Sequence, residues 1–197
     1  MYTWGYIKDA TLAKLDLEQS EANVMGLLNR FVFYANEAMT QICSGIKPKH
    51  SYFVIKVDDE NVNKLLTMDV DDFISFGDDE SVIAYINEYG DEVEEFCHDD
   101  VLVHRGYNNV ICKKKGLYTI SYNARWYMFS NATPDDEVLN VPVDILDCIP
   151  SYIAHQCMKT DDEYKSSVLR NEYEMFLSRI DDTDYNTTKT IKILGDW

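Results

Sequence analysis

ILDCIPSYIAHQCMKTDDEYKSSVLRNEYEMFLSRI, residues 145–180, reads as a helical hairpin. Ile149, Ile153, Cys157 and Met158 recur at helical spacing, and Thr160-Asp161-Asp162 interrupt the pattern. Tyr164, Val168, Tyr173, Phe176, Leu177 and Ile180 then form one broad apolar stripe. Asp161 suits the N-cap of the second helix, with Asp162 and Glu163 over its free N–H groups. Pro150 suits the first turn of the first helix, where no N–H is needed. Two amphipathic helices cannot bury both apolar faces against each other alone, so the hairpin requires a further helix.

That helix lies near the N-terminus. Val24, Leu28, Phe31, Ala35, Met39 and Ile42 are spaced 4, 3, 4, 4, 3, which predicts one amphipathic helix of about six turns. Gly45 followed by Pro48 ends it. Gly26 inside it costs about 1 kcal/mol relative to Ala and is expected to mark a close helix contact. Upstream, Trp4, Tyr6, Ile7, Leu12, Leu15 and Leu17 predict a short helix packed on the next element. A turn at Glu18-Gln19-Ser20 follows, with Ser20 as its cap.

From Ser51 the period changes to two. Residues 51–57, 73–76, 81–87, 101–104, 108–113 and 115–129 read as strands, separated by Asp-rich or Gly-containing turns. Tyr118, Ile120 and Tyr122 alternate with Thr119 and Ser121, as one half-buried strand should. The expected architecture is α+β: a small helical bundle with an inserted antiparallel β-sandwich or barrel-like module. Its parts are N-terminal helices over 1–50, an inserted acidic β module over 51–143, the hairpin over 144–180, and a polar, then β-prone tail over 181–197.

The charge is uneven. Residues 58–100 hold 16 acidic side chains and one Lys, so this stretch of the β module carries −15 against a net −17 for the whole chain. Such a surface does not bind DNA phosphates, which require neutralising cations. It is either a set of solvated turns or a surface that repels an anion or meets a basic partner. Lys113-Lys114-Lys115 is the one basic cluster, read as a hairpin turn or as a contact to an acidic or phosphate partner. No signal peptide and no apolar run of membrane-spanning length is visible, so a soluble, non-secreted chain is expected.

Recognisable chemistry is missing. The nucleophile elbow, phosphate loop, dinucleotide fingerprint and HExxH are all absent. Five Cys, with no CxxC, read as reduced thiols, those at Cys43, Cys148 and Cys157 in a helical core. The nearest approach to a metal site, Cys97-His98 with His104 and Cys112, matches no common ligand spacing. His98, Asp99, Asp100 and His104 could pair for acid–base work only within a very acidic stretch. The expectation is no enzyme, no cofactor and no metal.

A set of short sequence words occurs in a definite order. Tyr34-Ala35-Asn36-Glu37-Ala38 runs on to Gln41-Ile42. Met68 precedes Asp71-Asp72-Phe73, and Ser121-Tyr122-Asn123-Ala124 closes the β region. Asp144-Ile145-Leu146, Ile149-Pro150-Ser151-Tyr152-Ile153-Ala154, Asp161-Asp162 and Asn171-Glu172-Tyr173-Glu174 follow. The ordered set, over roughly residues 10–180, resembles the head–tail connector (portal adaptor) proteins of tailed bacteriophages. The acidic β module is larger than a minimal adaptor needs. The resemblance implies a virion protein of the neck, made in the host cytoplasm, without catalysis. It would form a dodecameric ring beneath the portal protein, extend the DNA channel and carry a downstream tail or stopper protein. DNA would pass without specific binding, and no membrane is involved.

On that reading Asn171 and Glu174 are subunit contacts. Thr188, Lys189, Thr190, Ile191, Lys192, Ile193, Leu194 and Trp197 form a docking tail for the portal or a neighbour. Asp78, Asp79, Asp91 and Glu92 represent the acidic surface, facing the channel or the tail. The alternatives are another neck ring protein (a stopper or tail terminator), a non-viral β-sandwich binding module with helical flanks, or a hydrolase using the His98/Asp99/His104 cluster.

Overall fold

The structure, a computed structural model, describes residues 2–24, 26–76, 82–93, 100–104 and 107–180. The described elements run α1 (Trp4–Leu15), α2 (Gln19–Val24), α3 (Leu28–Gly45), β1 (Lys49–Val57), β2 (Leu65–Thr67), β3 (Phe73–Ser75) and β4 (Val82–Asn87). They continue with β5 (Val101–His104), β6 (Asn109–Cys112), β7 (Gly116–Ala124), α4 (Val143–Met158) and α5 (Glu163–Leu177). Helices and two antiparallel sheets make an α+β fold.

The helices are built around α4, which packs against α1, α3 and α5. Ten of its side chains are buried, Ile145, Leu146, Ile149, Tyr152 and Ile153 among them. A helix enclosed on this many sides cannot show a narrow apolar stripe, and its small Ser151 and Ala154 allow the close approach. Ile7, Phe31, Ala35, Met39 and Ile42 complete this core from α1 and α3.

Five local expectations change. The expected six-turn helix is two helices, because Gly26 adopts φ +67° and breaks it. An added Cβ at Gly26 would meet nothing within 4 Å, so Gly26 marks a break and no close helix contact. Ser20 lies inside α2, and the Glu18 N–H is held by the Glu21 carboxylate instead. Pro150 is an interior residue of α4, since that helix starts at Val143 after Pro142. The N-cap of α5 is Asp162, whose Oδ1 accepts from the Lys165 N–H at 2.9 Å, rather than Asp161.

The β module has its own core. β7 is the central strand of one sheet, with β1 along one side and β3 and β4 on the other. The second sheet has the order β2-β6-β5. Tyr118, Ile120, Tyr122 and Ala124 of β7 point inward, as their alternation requires, and share a core with Met68, just past β2, and with Val101, Val110 and Cys112 of the second sheet. The strand expected over 115–129 stops at Ala124. Trp126, Tyr127 and Phe129 leave the sheet and pack on the helical core instead, where Phe129 lies 4.6 Å from Trp4.

The two cores are joined by Ile74 of β3, which packs on the helical core, and by a polar joint. The Lys47 ammonium, almost fully buried, pairs with Asp144 at 2.7 Å, and the Trp126 indole N–H donates to the Lys47 carbonyl at 3.0 Å. Arg125 N–H donates to the Asp72 carbonyl at 2.8 Å.

Candidate partner-binding surfaces

The residues that carry the ordered set of sequence words are interlocked. On α3, Asn36 grips the chain after β7: its Nδ2 donates to the Phe129 carbonyl (2.9 Å), and its Oδ1 accepts from the Phe129 N–H (2.8 Å). One turn and a half further on, Gln41 donates to the Tyr152 hydroxyl of α4 at 2.8 Å. Gln156 donates to the same oxygen at 3.0 Å, and the Tyr173 hydroxyl of α5 reaches Gln41 Oε1 at 3.4 Å. Tyr152 and Tyr173 meet edge to face at 4.9 Å. Burial pushes the Tyr152 and Tyr173 hydroxyls above the ordinary tyrosine range, so they stay neutral hydrogen-bonding groups. In the β module the Tyr122 hydroxyl donates to Asp72 at 2.9 Å. These words therefore mark joints of the fold.

The expected subunit contacts, Asn171 and Glu174, both lie exposed on α5. Glu174 accepts from Arg170 one turn earlier at 2.9 Å. Their neighbour Glu172 turns inward and pairs with Lys14 of α1 at 2.7 Å, while Lys165 pairs with Asp16 at 2.7 Å. The buried face of α5 is Ser166, Leu169 and Tyr173, with Phe176 and Leu177 half-buried beside them. Tyr164 and Val168 do not belong to it. Tyr164 is 81% exposed and, with exposed Val168, Asn171 and Met175, forms an outward stripe at i, i+4, i+7, i+11. The single broad stripe read from the sequence is thus two stripes on opposite sides of the helix. Periodicity alone does not separate them.

Of the acidic surface, Asp91 and Glu92 are exposed on the turn after β4. Asn87 Oδ1 accepts from the Tyr89 and Asp91 N–H groups there, and Gly90 takes φ +92°. Asp78 and Asp79 lie outside the described residues, as do Cys97, His98 and Asp99, and the docking tail Thr188–Leu194 with Trp197. Several acids have local structural partners. Asp58 Oδ1 caps the Glu60 N–H at 2.9 Å and Asp72 holds Tyr122. Lys113, Lys114 and Lys115 form the connection from β6 to β7. Lys114 pairs with Asp100 at 2.6 Å, and Lys115 with Asp59 at 2.6 Å and Glu88 at 3.7 Å. An open cleft of about 400 Å³ runs between these lysines and Tyr85, Glu88 and Tyr89. The lysine turn thus meets the module's own carboxylates.

The thiols at Cys43, Cys112, Cys148 and Cys157 are free and buried. Desolvation pushes Cys112 and Cys157 up to about 11, and Cys148 up to about 12 with help from Asp144 and Asp147. Among the described residues no helix is long and apolar enough to cross a membrane. Among known proteins, no family model and no curated sequence matches the chain.

Proposed function

We propose that the protein is a structural subunit of a virion neck, a head–tail connector that forms a ring beneath the portal. The ring extends the DNA channel and presents a platform for a downstream tail or stopper protein. One observation supports this reading above the others: three of the sequence words of the resemblance, those on α3, α4 and α5, meet in one polar cluster of Gln41, Tyr152 and Tyr173.

The roles follow from the positions. The outward face of α5, with Asn171 and Glu174, makes subunit contacts, and its exposed Tyr164, Val168 and Met175 supply apolar area that a lone subunit leaves wet. Residues 188–197 dock on the portal or a neighbour. The acidic β module faces either the channel, where it repels the DNA backbone, or a basic tail component. The role needs no cofactor and no catalytic group.

The test is co-sedimentation with portal rings of the same virion. Stoichiometric binding supports the connector. A protein that stays monomeric and ignores portal rings overturns it. Binding only to a ring already capped by another neck protein assigns the chain to the stopper position.

A further inference from the structure

β1 ends its sheet, and among the described residues nothing pairs with its outer side. Its register with β7 runs unbroken from Lys49↔Ala124 to Val57↔Gly116. In an antiparallel ladder alternate residues turn both backbone groups toward the partner, and the residues between turn both away. The Lys56 carbonyl accepts from Asn61 Nδ2 at 3.1 Å, which assigns Lys56 to the outward set, and with it His50, Tyr52 and Val54. The far side of β7 has the matching parity: Tyr85, opposite Tyr118, gives its carbonyl to the Val93 N–H and not to β7. Asn61 closes one end of the edge, so His50, Tyr52 and Val54 keep open donors and acceptors among the described residues.

The side chains along this edge are also incompletely covered. Tyr52 is 60% and Val54 48% exposed. On the inner face Phe53 and Ile55 pack on the β core only from its rim. Long flat edges are normally blocked by a bulge, a Pro or an inward charge. Here only Lys49 and Lys56 flank the open part.

The chain carries a segment suited to that edge outside the described residues. Thr188–Leu194 reads TKTIKIL, with Ile191 and Ile193 on one face of a strand and Thr190 and Lys192 on the other. The two Ile would cover Phe53 and Ile55.

The exit point of the tail bears on whose edge it meets. α5 runs antiparallel to α4, since Ser166 bonds His155 at 2.8 Å and Tyr173 meets Tyr152 at 4.9 Å. Ile180 therefore lies level with the start of α4, where Asp144 holds Lys47 just before β1. From there residues 181–187 reach about 24 Å at full extension. Antiparallel addition to the same chain's β1 needs about 23 Å of travel along the strand, plus a sideways offset of about 9 Å for the intervening helix. At right angles these combine to about 25 Å, the whole length of the tether, so pairing on its own β1 leaves the tail no slack, and every strand pair among the described residues is antiparallel. A neighbouring copy has no such limit.

We infer that Thr188–Leu194 of one copy adds antiparallel to the β1 edge of the next copy, as a head-to-tail contact that closes a ring. The inference rests on the ring reading for its neighbour and names the element that receives the tail.

The experiment is hydrogen exchange at the His50, Tyr52 and Val54 amides in three full-fold proteins: the whole chain, a chain ending at Asp182, and Ile191→Pro. In the whole chain at high concentration these amides exchange about tenfold slower than in the other two. The β7 amides serve as the control, unchanged in all three. Dilution removes the protection. Equal rates in all three proteins overturn the inference, and so does protection that survives dilution, which puts the tail on its own β1. Stoichiometric binding to portal rings with equal exchange rates sinks the strand exchange alone. Concentration-dependent protection in a chain that ignores portal rings keeps the strand exchange and sinks the connector.

Discussion

Asn36 carries more of the fold than its half-buried position on a helix implies. Its amide imitates one rung of a sheet ladder, giving and taking a bond with the Phe129 backbone, and so pins the return chain to α3. Asn36→Ala leaves both Phe129 groups unpaired and is expected to cost about 2–3 kcal/mol, read as a lower urea midpoint. No periodicity relates residue 36 to residue 129. The only trace in the sequence is that Asn is a poor choice for the middle of a helix unless its side chain has a partner. The thiols give a second prediction. Cys112, Cys148 and Cys157, and Tyr2 (raised to about 12 by its bond to Asp147), all hold their protons more tightly folded than unfolded. Their contribution is fully present below the unfolded thiol value, about 9, and is lost as pH rises through 11 to 12. The urea midpoint is therefore expected to be flat from pH 7 to 8.5 and to fall steadily above about 9.5.

At the scale of elements, long regular periods were legible and rotations were not. The spacing 28, 31, 35, 39, 42 places α3 correctly, and the alternation in β7 places its inward face. The break at Gly26 was hidden because Val24 and Leu28 keep helical spacing across a glycine that is not helical. The side of α5 was hidden because it carries apolar residues both toward α4 and toward solvent. The end of β7 was hidden because Trp126, Tyr127 and Phe129 are as suited to a strand as to a loop anchored on helices. The turn into β7 is more sharply constrained. Gly116 takes φ +148°, and a Cβ there would lie 2.3 Å from the Ile86 carbonyl oxygen and 2.5 Å from the Tyr85 ring. Gly116→Ala is expected to lower stability by about 2–4 kcal/mol, visible as a drop in Tm. Gly45→Ala, with open space around its added methyl, is expected to leave Tm unchanged or raise it slightly.

For the whole molecule the main open quantity is where −15 of charge points. Reversing Asp78, Asp79, Asp91 and Glu92 to Lys separates the two placements. On the proposed connector role, failed tail joining with normal DNA packaging would place the acids on the outer face, and normal assembly with slowed ejection would place them along the channel. The described pair, Asp91 and Glu92, sits on an exposed turn, so the folded protein is expected to tolerate that part of the change, with a urea midpoint within experimental error of the original. The division into two cores was legible from the change of period at Ser51 and the charge imbalance. The joint at Lys47, Trp126 and Asp144 was not, because it combines three distant positions with no shared pattern.

The position of α4 at the centre of the helices sets an order of events during synthesis. Its partners α1 and α3 leave the ribosome first, but the surface they pack against is encoded some hundred residues later. Until it arrives, Ile7, Phe31, Met39 and Ile42 have no permanent cover. The β strands between them are translated in that interval, so the nascent chain carries an unfinished apolar half-site past a set of sticky edges. The helical core is completed by the last third of the chain, and ribosomes that stall before α4 release chains that invite chaperones or aggregation rather than partly working proteins.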